Sequence, residues 1–169
     1  MGISSSSVRV NVTTQSITYV SEGVVDLFEA IITKLGLSTK YTEEHRDALL
    51  SGFTTWLREK SLEKVYLVVE EASGRAWALG ELRIDYLLQG QTADFYDDLE
   101  AARYAAAKLG VPPTGVTYRI IAVTSAGASA VSGWSGTTMP STSGMTRSRV
   151  GGAVGAPAIE ASLALWRRA

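Results

Sequence analysis

A polar segment of twenty residues follows a predicted strand that is apolar on both faces, and this pairing limits the folds available to the chain. Residues 115–124 indicate a strand, and residues 120–123 are apolar at both odd and even positions, so both of its faces should be covered. Residues 125–144 then contain nine Ser or Thr, four Gly and one Pro. Their large apolar residues are only Val131, Trp134 and Met139. Such a segment cannot form a core alone, but it can wrap a core that the rest of the chain supplies.

The residues before this segment carry the periodicities of strands and helices. Three valines alternate with polar residues over residues 8–13, which predicts a half-buried strand. Apolar residues at helical spacing predict three helices, over residues 20–35, 42–57 and 92–109. Residues 65–71 and 75–86 are rich in β-branched and aromatic side chains and flank an Ala-Ser-Gly turn, which predicts a hairpin. The sequence therefore predicts an α+β fold.

The length of 169 residues fits one domain with additional ends. Residues 1–110 carry 11 basic and 16 acidic side chains, whereas residues 111–169 carry 5 basic and 1 acidic. Glycine also becomes frequent after residue 144. We therefore expect a flexible N-terminus at residues 1–7, a domain at residues 8–145 whose wrapping segment covers about 125–145, and a Gly-rich C-terminal tail at residues 146–169.

The end of this tail is too apolar for an inert linker. Its large side chains include Ile159, Leu163, Leu165 and Trp166. Ile159, Leu163 and Trp166 are spaced i, i+4 and i+7, which favours a short helix that docks on its own domain or on a neighbour.

The composition excludes several kinds of chemistry. The chain has no cysteine, and His45 is its one histidine, so thiol nucleophiles, Cys-based metal sites and multi-histidine metal centres are excluded. His45 lies between Glu44 and Arg46 and is expected to be a solvated surface residue. The sequence also lacks a phosphate loop of the form GxxxxGK[ST]. We therefore expect no enzyme activity, no cofactor and no metal.

The charge and hydropathy of the chain also bear on its partners and location. The net charge of −1 gives no global electrostatic attraction to nucleic acid, so no direct nucleic-acid partner is expected. No apolar run approaches the roughly 18 residues of a membrane span, and the N-terminus lacks the pattern of a secretory signal. The expectation is a cytoplasmic protein without a membrane partner.

The order of these elements resembles the HORMA domain, and most closely the HORMA proteins of CBASS anti-phage operons in bacteria. The resemblance covers residues 8–145. It is carried by the first helix at 20–35, the hairpin at 65–71 and 77–86, the central helix at 92–109 and the strand at 118–124, followed by a loop with Trp134. The resemblance implies three helices packed on a mainly antiparallel sheet, with a C-terminal "safety belt" at about 125–145.

What the resemblance implies for function is a peptide clamp. In this family a short "closure motif" adds to the sheet edge as a strand, and the belt passes over it. The residues implied for peptide binding are Tyr118, Ile120, Ala122, Val131, Trp134 and Met139. The tail is a second possibility for the motif itself, bound in cis or by another copy, through Ile159, Leu163, Leu165 and Trp166.

The resemblance also implies two protein partners. A nucleotidyltransferase of the CD-NTase type, which makes a cyclic oligonucleotide, would be bound and activated in anti-phage defence. An AAA+ ATPase would reopen the clamp by pulling on residues 1–7.

Two alternatives stay open at this point. Trp134 can anchor its own loop or contact a partner, because a large aromatic side chain in a flexible segment serves either purpose. The chain can also be a small assembly subunit, from a phage or a secretion system, that joins its neighbours by strand addition.

Overall fold

The computed structural model describes residues 3–87 and 94–168, with side chains described from Thr13 onward. It contains four helices: α1 Ile3–Lys34, α2 Lys40–Glu44, α3 Arg46–Glu59 and α4 Leu99–Ala107. It contains six strands: β1 Leu62–Glu70, β2 Ala76–Tyr86, β3 Tyr96–Asp97, β4 Thr117–Thr124, β5 Met145–Ala156 and β6 Ile159–Arg168. None of the helices in the described part of the chain is both long and apolar enough to span a membrane.

All the strands form one antiparallel sheet in the order β3-β5-β6-β2-β1-β4. The helices pack on one side of it, the helix face, where the largest buried side chains include Phe28, Phe53 and Leu82. The opposite side, the outer face, carries a smaller cluster around Val68, Leu79 and Ile121. The predicted α+β architecture, with helices on a mainly antiparallel sheet, is confirmed.

The first helix is longer than the sequence predicts. The expected strand at residues 8–13 is wrong, because these residues belong to α1, and Ile3–Ser7 of the expected flexible end are helical as well. Met1 and Gly2 lie outside the described residues. Three alternating valines are a short signal, and the strongly periodic face that follows them is completely buried at Val20, Val24 and Phe28. Gly36, at φ +77°, follows the end of the helix in the left-handed conformation that glycine adopts readily.

The central helix is shorter than predicted. Residue 92 lies outside the described residues, and α4 begins at Leu99, where the Asp98 side chain accepts a hydrogen bond from the Ala101 N–H. Tyr96 and Asp97 form β3 against β5 instead of extending the helix.

The C-terminal residues correct the expected tail. They form the hairpin β5–β6, and β6 lies inside the sheet, hydrogen-bonded to β5 on one side and to β2 on the other. The docked helix is wrong because Ile159, Ala161, Leu163 and Leu165 also alternate with period two, and all four are buried on the helix face. The domain therefore continues past the expected boundary at residue 145 as far as Arg168.

Candidate functional site

The strand β4 is one edge of the sheet. It pairs with β1 from Leu62↔Thr124 to Glu70↔Thr117, and no other described strand pairs with it. Ile121 is buried on the outer face, whereas Ile120 and Ala122 are half-buried on the helix face. Both faces of β4 are therefore covered, as the sequence predicts, while its outer backbone edge is free to pair with an added strand.

Residues 125–144, here called the belt, leave β4 along helix α3. The Ser125 N–H donates to the Ser61 carbonyl at 2.9 Å. Farther along, the Ser129 carbonyl accepts from the Trp56 indole at 2.8 Å, and its N–H donates to the Glu59 carboxylate at 3.2 Å. The hydrogen bonds from Ser129 lower the pKa of Glu59, and they outweigh burial, which acts in the opposite direction. The start of the belt is thus tied to fixed groups of α3 and the loop after it.

Trp134 is the main anchor of the belt. Its indole Nε1 donates to the Ala48 carbonyl at 2.7 Å. Its ring packs edge-to-face on Trp56, with centroids 5.0 Å apart, and at a tilt on Phe53 at 5.6 Å. Gly52 of α3 makes room for the indole, since a Cβ at that position would overlap it. The structure therefore assigns Trp134 the anchoring role that the sequence left open.

Arg119 holds the belt at a second point, where it crosses the edge of β4. Its Nη1 donates to the Thr137 hydroxyl at 2.6 Å and its Nη2 to the Thr138 carbonyl at 3.2 Å. Its Nε pairs with Glu70 of β1. Sequence reasoning missed this residue, although it is the one charged side chain of β4 and directly precedes the apolar residues 120–123, which is a signal that could have found it.

Between these two anchors a groove separates the belt from the strand β4. Two adjoining cavities of about 190 and 350 Å³, together called the belt groove, lie between β4 and the belt. They share Ile120, Ile121, Trp134, Ser135 and Thr137 as walls. His45 borders one end, where its ring stacks on Tyr41 at 4.4 Å and its Nδ1 lies 2.8 Å from the Tyr41 carbonyl.

Four of the six residues predicted for peptide binding line the belt groove: Ile120, Ala122, Val131 and Trp134. Tyr118 lies beyond it, where its hydroxyl donates to the Ser38 carbonyl at 2.7 Å and its ring packs edge-to-face on Tyr41. Burial raises the pKa of Tyr118. Met139 is 37% exposed and lines neither cavity.

The four tail residues predicted as a possible closure motif lie elsewhere. Ile159, Leu163 and Leu165 are buried in β6, between β5 and β2, and Trp166 donates from Nε1 to Glu81 at 3.2 Å. The prediction that this segment is a captured motif is wrong for this conformation, because both edges of β6 are already paired within the sheet.

A buried ionic cluster holds the β5–β6 hairpin on the outer face. Glu81 of β2 is 3% exposed and accepts from Arg147 of β5 at 2.8 and 3.1 Å, from Trp166 and from the Tyr66 hydroxyl at 3.2 Å. Burial raises the pKa of Glu81, but the hydrogen bonds and charge of Arg147 outweigh it and leave the pKa below its usual value. Burial and the Glu81 charge raise the pKa of Tyr66 to about 12.

The described residues contain no group of three or more Asp, Glu or His side chains that could hold a metal ion. What the site offers is a free strand edge, a groove with apolar and hydroxyl walls, and a belt pinned across it. These features suit binding of an extended chain.

Solved structures share this fold. Against C. elegans HTP-1 bound to a HIM-3 closure motif, the chain gives a TM-score of 0.66 at 11% identity, with 87% of each chain covered. Against the E. coli MS115-1 CdnC:HORMA-deltaN complex, the TM-score is 0.61 at 10% identity, covering 92% of this chain and 89% of that one. A chain of the mitotic checkpoint complex gives 0.65 at 10% identity, with 88% and 98% covered.

No curated protein matches the sequence significantly. The sequence model of the family described as Bacterial HORMA domain 2, in contrast, matches residues 5–169, which is nearly the whole chain. This match agrees with the structure, in which the belt crosses the free edge of β4. The chain belongs to the bacterial HORMA domain family.

Proposed function

We propose that the protein is a clamp for an extended peptide, which adds to β4 as a strand beneath the belt. The observation that carries this proposal is the position of the belt. It is fixed to α3 through Trp134 on one side of the groove and to Arg119 on the other, so it crosses a strand edge that no described strand occupies. A peptide in the groove would be enclosed between the edge and the belt.

The groove offers two kinds of recognition. Backbone hydrogen bonds along β4 bind any extended peptide, whereas the side chains of the peptide alternate between the two faces and provide selectivity. One set of peptide side chains would meet Ile120, Ala122, Val131 and the Trp134 ring, and the other would meet Arg119 and Thr137. Tyr118 and Met139 would contact only the ends of a longer peptide.

The bacterial family and the likeness to the E. coli CdnC:HORMA-deltaN complex support a nucleotidyltransferase as the partner. In this proposal the peptide-bound clamp binds and activates a cyclic-oligonucleotide synthase of the CD-NTase type in anti-phage defence. The HORMA chain performs no chemistry itself and acts in the cytoplasm. An AAA+ ATPase reopens it by pulling on the N-terminus. The family match favours this regulatory role over an assembly subunit.

The decisive experiment is selection of peptides from a random library on the purified protein, followed by titration of those selected. We expect bound peptide to protect the amides of β4 from hydrogen exchange. Arg119→Ala should accelerate peptide release, because it frees one side of the belt. Arg103→Ala is the matched control, since Arg103 lies on α4 and pairs with Glu100. If no extended peptide is retained, or if protection falls on another strand, the clamp is excluded.

A further inference from the structure

A second groove lies at the opposite edge of the sheet. A cavity of about 500 Å³ separates α4 from the first half of β5. Its apolar walls are Ala101, Ala105, Leu109, Val150 and Leu165. β4 and β5 are separated by four strand spacings, or roughly 19 Å. This groove, here called the α4–β5 groove, is therefore distinct from the belt groove.

The rim of the α4–β5 groove is basic. Lys108, Arg149 and Arg167 line it, and no acidic side chain does. Within the described part of the chain, none of these three cations forms an ion pair with a carboxylate. Arg167 donates to the Lys108 carbonyl at 3.0 Å, and the Lys108 ammonium lies 4.4 Å from the centre of the Tyr104 ring. Lys108 and Arg167 are thus held at the rim by neutral groups, and their charges are not neutralised by a described carboxylate.

One wall of the groove is a free strand edge. β3 pairs with β5 only at Val154 and Gly155, so the described structure leaves the outer edge of β5 unpaired from Met145 to Gly152. Ser148 and Val150 face the groove, while Arg149 also borders a smaller cavity on the outer face. The charged residues that line this smaller cavity with it are Arg83, Arg147 and Asp85. An edge strand with unpaired backbone groups is a template for another strand.

The neighbouring surface adds apolar contact area. Tyr104 is 69% exposed on α4, and Val111 is 91% exposed just beyond it. Tyr104 lines the cavity itself, so a segment bound in the groove would cover part of this exposed ring.

From these features we propose that the α4–β5 groove binds an acidic, extended segment of a partner protein, which pairs with β5 as an added strand. Its carboxylates meet Lys108 and Arg167 on the helix side and Arg149 on the outer side, and its apolar side chains enter the cavity beside Ala105. The free edge favours a polypeptide over a nucleic acid, because only a polypeptide completes the backbone hydrogen bonds of β5. The inference stands independently of the clamp, since the two grooves share no residue.

The test is an NMR titration of the full chain with a short capped peptide of repeated Glu-Glu-Val-Val, because this order gives each face of an added strand both Glu and Val side chains. We expect amide shifts at residues 145–152 and along α4, and weaker binding as salt is added. A peptide with Lys in place of Glu should not bind. Lys108→Ala combined with Arg149→Ala should weaken binding of the Glu peptide about tenfold, the sum of two exposed ion pairs. Ala105→Leu should weaken it by filling the cavity, while Arg103→Ala, on the same helix, should not.

Three results would overturn the inference. The first is no shift at β5 with the Glu peptide at millimolar concentration, and the second is equal binding of the Lys peptide. The third is a single-stranded oligonucleotide that shifts the same amides when the Glu peptide does not. Shifts at β4 alone would support the clamp and still exclude this groove, so the two proposals fail separately.

Discussion

Arg147 and Glu81 form an ion pair whose two ends differ in exposure. The carboxylate is 3% exposed, whereas the guanidinium side chain is 42% exposed. Removing the arginine therefore leaves a negative charge on the outer face with only Trp166 and Tyr66 as hydrogen-bond donors. Loss of one partner from a buried pair is costly because the remaining charge stays desolvated.

We therefore expect Arg147→Ala to lower the free energy of unfolding by about 2 kcal/mol, because Glu81 stays buried without its cation. Arg149→Ala is the matched control. It lies two residues away on the same strand and forms no ion pair among the described residues, so its effect should be close to zero. Urea denaturation of both variants measures the difference, and equal midpoints would contradict the role given to the pair.

The pH dependence of stability provides a second check on Glu81. Its pKa is lower in the folded chain than in the unfolded one, so its contribution is complete above the unfolded value and is lost as the pH falls through the folded value. We expect Glu81→Gln to be less stable than the wild type at neutral pH and to lose less stability on acidification. Thermal melts between neutral and acidic pH test this, and parallel curves for the two proteins would refute it.

At the scale of whole elements, the belt is the least regular part of the described chain. It has no strand or helix of its own, so its position depends on a few side-chain anchors. Trp134 supplies both a hydrogen bond and most of the aromatic contact with α3. Segments held by few contacts open locally at a lower free energy than the core does.

Trp134→Ala should therefore release the belt without unfolding the sheet. We expect amide exchange in residues 128–138 to accelerate by roughly thirtyfold, corresponding to about 2 kcal/mol of lost anchoring. Amides of β1 and β2 should keep their protection. Met139→Ala serves as the control, because that side chain is exposed and lines neither cavity of the belt groove. Uniform acceleration over the whole chain would show that Trp134 supports the core instead.

The elements also show what the sequence could and could not predict. Local patterns predict the hairpin β1–β2, the polar belt, and the C-terminal ends of α1 and α4 just before Gly36 and Gly110. The tertiary structure does not override these patterns. The sequence analysis did not predict the hairpin β5–β6, because the glycine content of β5 is typical of a flexible linker. Its glycines instead let the Tyr96 ring lie against the strand, where a Cβ at Gly152 or Gly155 would collide with it. That contact joins residues far apart in sequence, so no local pattern reports it.

The same reasoning applies to the candidate site. The resemblance to the HORMA domain led to Ile120, Ala122, Val131 and Trp134, because it implies which strand and which segment enclose a peptide, and these four residues line the belt groove. The groups on α3 that anchor Trp134 could not be predicted. They are the Ala48 carbonyl and the space left by Gly52, and neither a backbone oxygen nor a missing side chain produces a pattern in the sequence.

For the whole molecule, the central question is whether the C-terminal third exchanges between two positions on the sheet. In the conformation described here, β6 pairs with β2 from Ala78↔Arg167 to Tyr86↔Ile159, and the belt connects this hairpin to β4. A peptide enclosed under the belt can enter or leave only if the belt opens. If the hairpin must leave β2 for that to happen, a covalent bond between β2 and β6 should block exchange of the peptide.

The chain has no cysteine, so an introduced pair can form only one disulfide. Arg83 and Ser162 are direct partners in the β2–β6 ladder, and antiparallel partners lie within the Cα separation that a disulfide spans. We expect oxidised Arg83→Cys/Ser162→Cys protein to exchange bound peptide at least about tenfold more slowly than its reduced form, because the hairpin cannot leave β2. Fluorescence anisotropy of a labelled peptide under unlabelled competitor measures the rate.

Lys64→Cys/Arg83→Cys is the control for this prediction. It joins β1 to β2 at the same position on β2, and both strands would stay in place if the β5–β6 hairpin left β2. Its oxidation should leave the exchange rate unchanged. Slow exchange in the control as well would indicate that the disulfide stiffens the sheet in general. Equal rates in the oxidised and reduced β2–β6 variant would mean that peptides pass the belt while the hairpin stays on β2, so that only the belt opens.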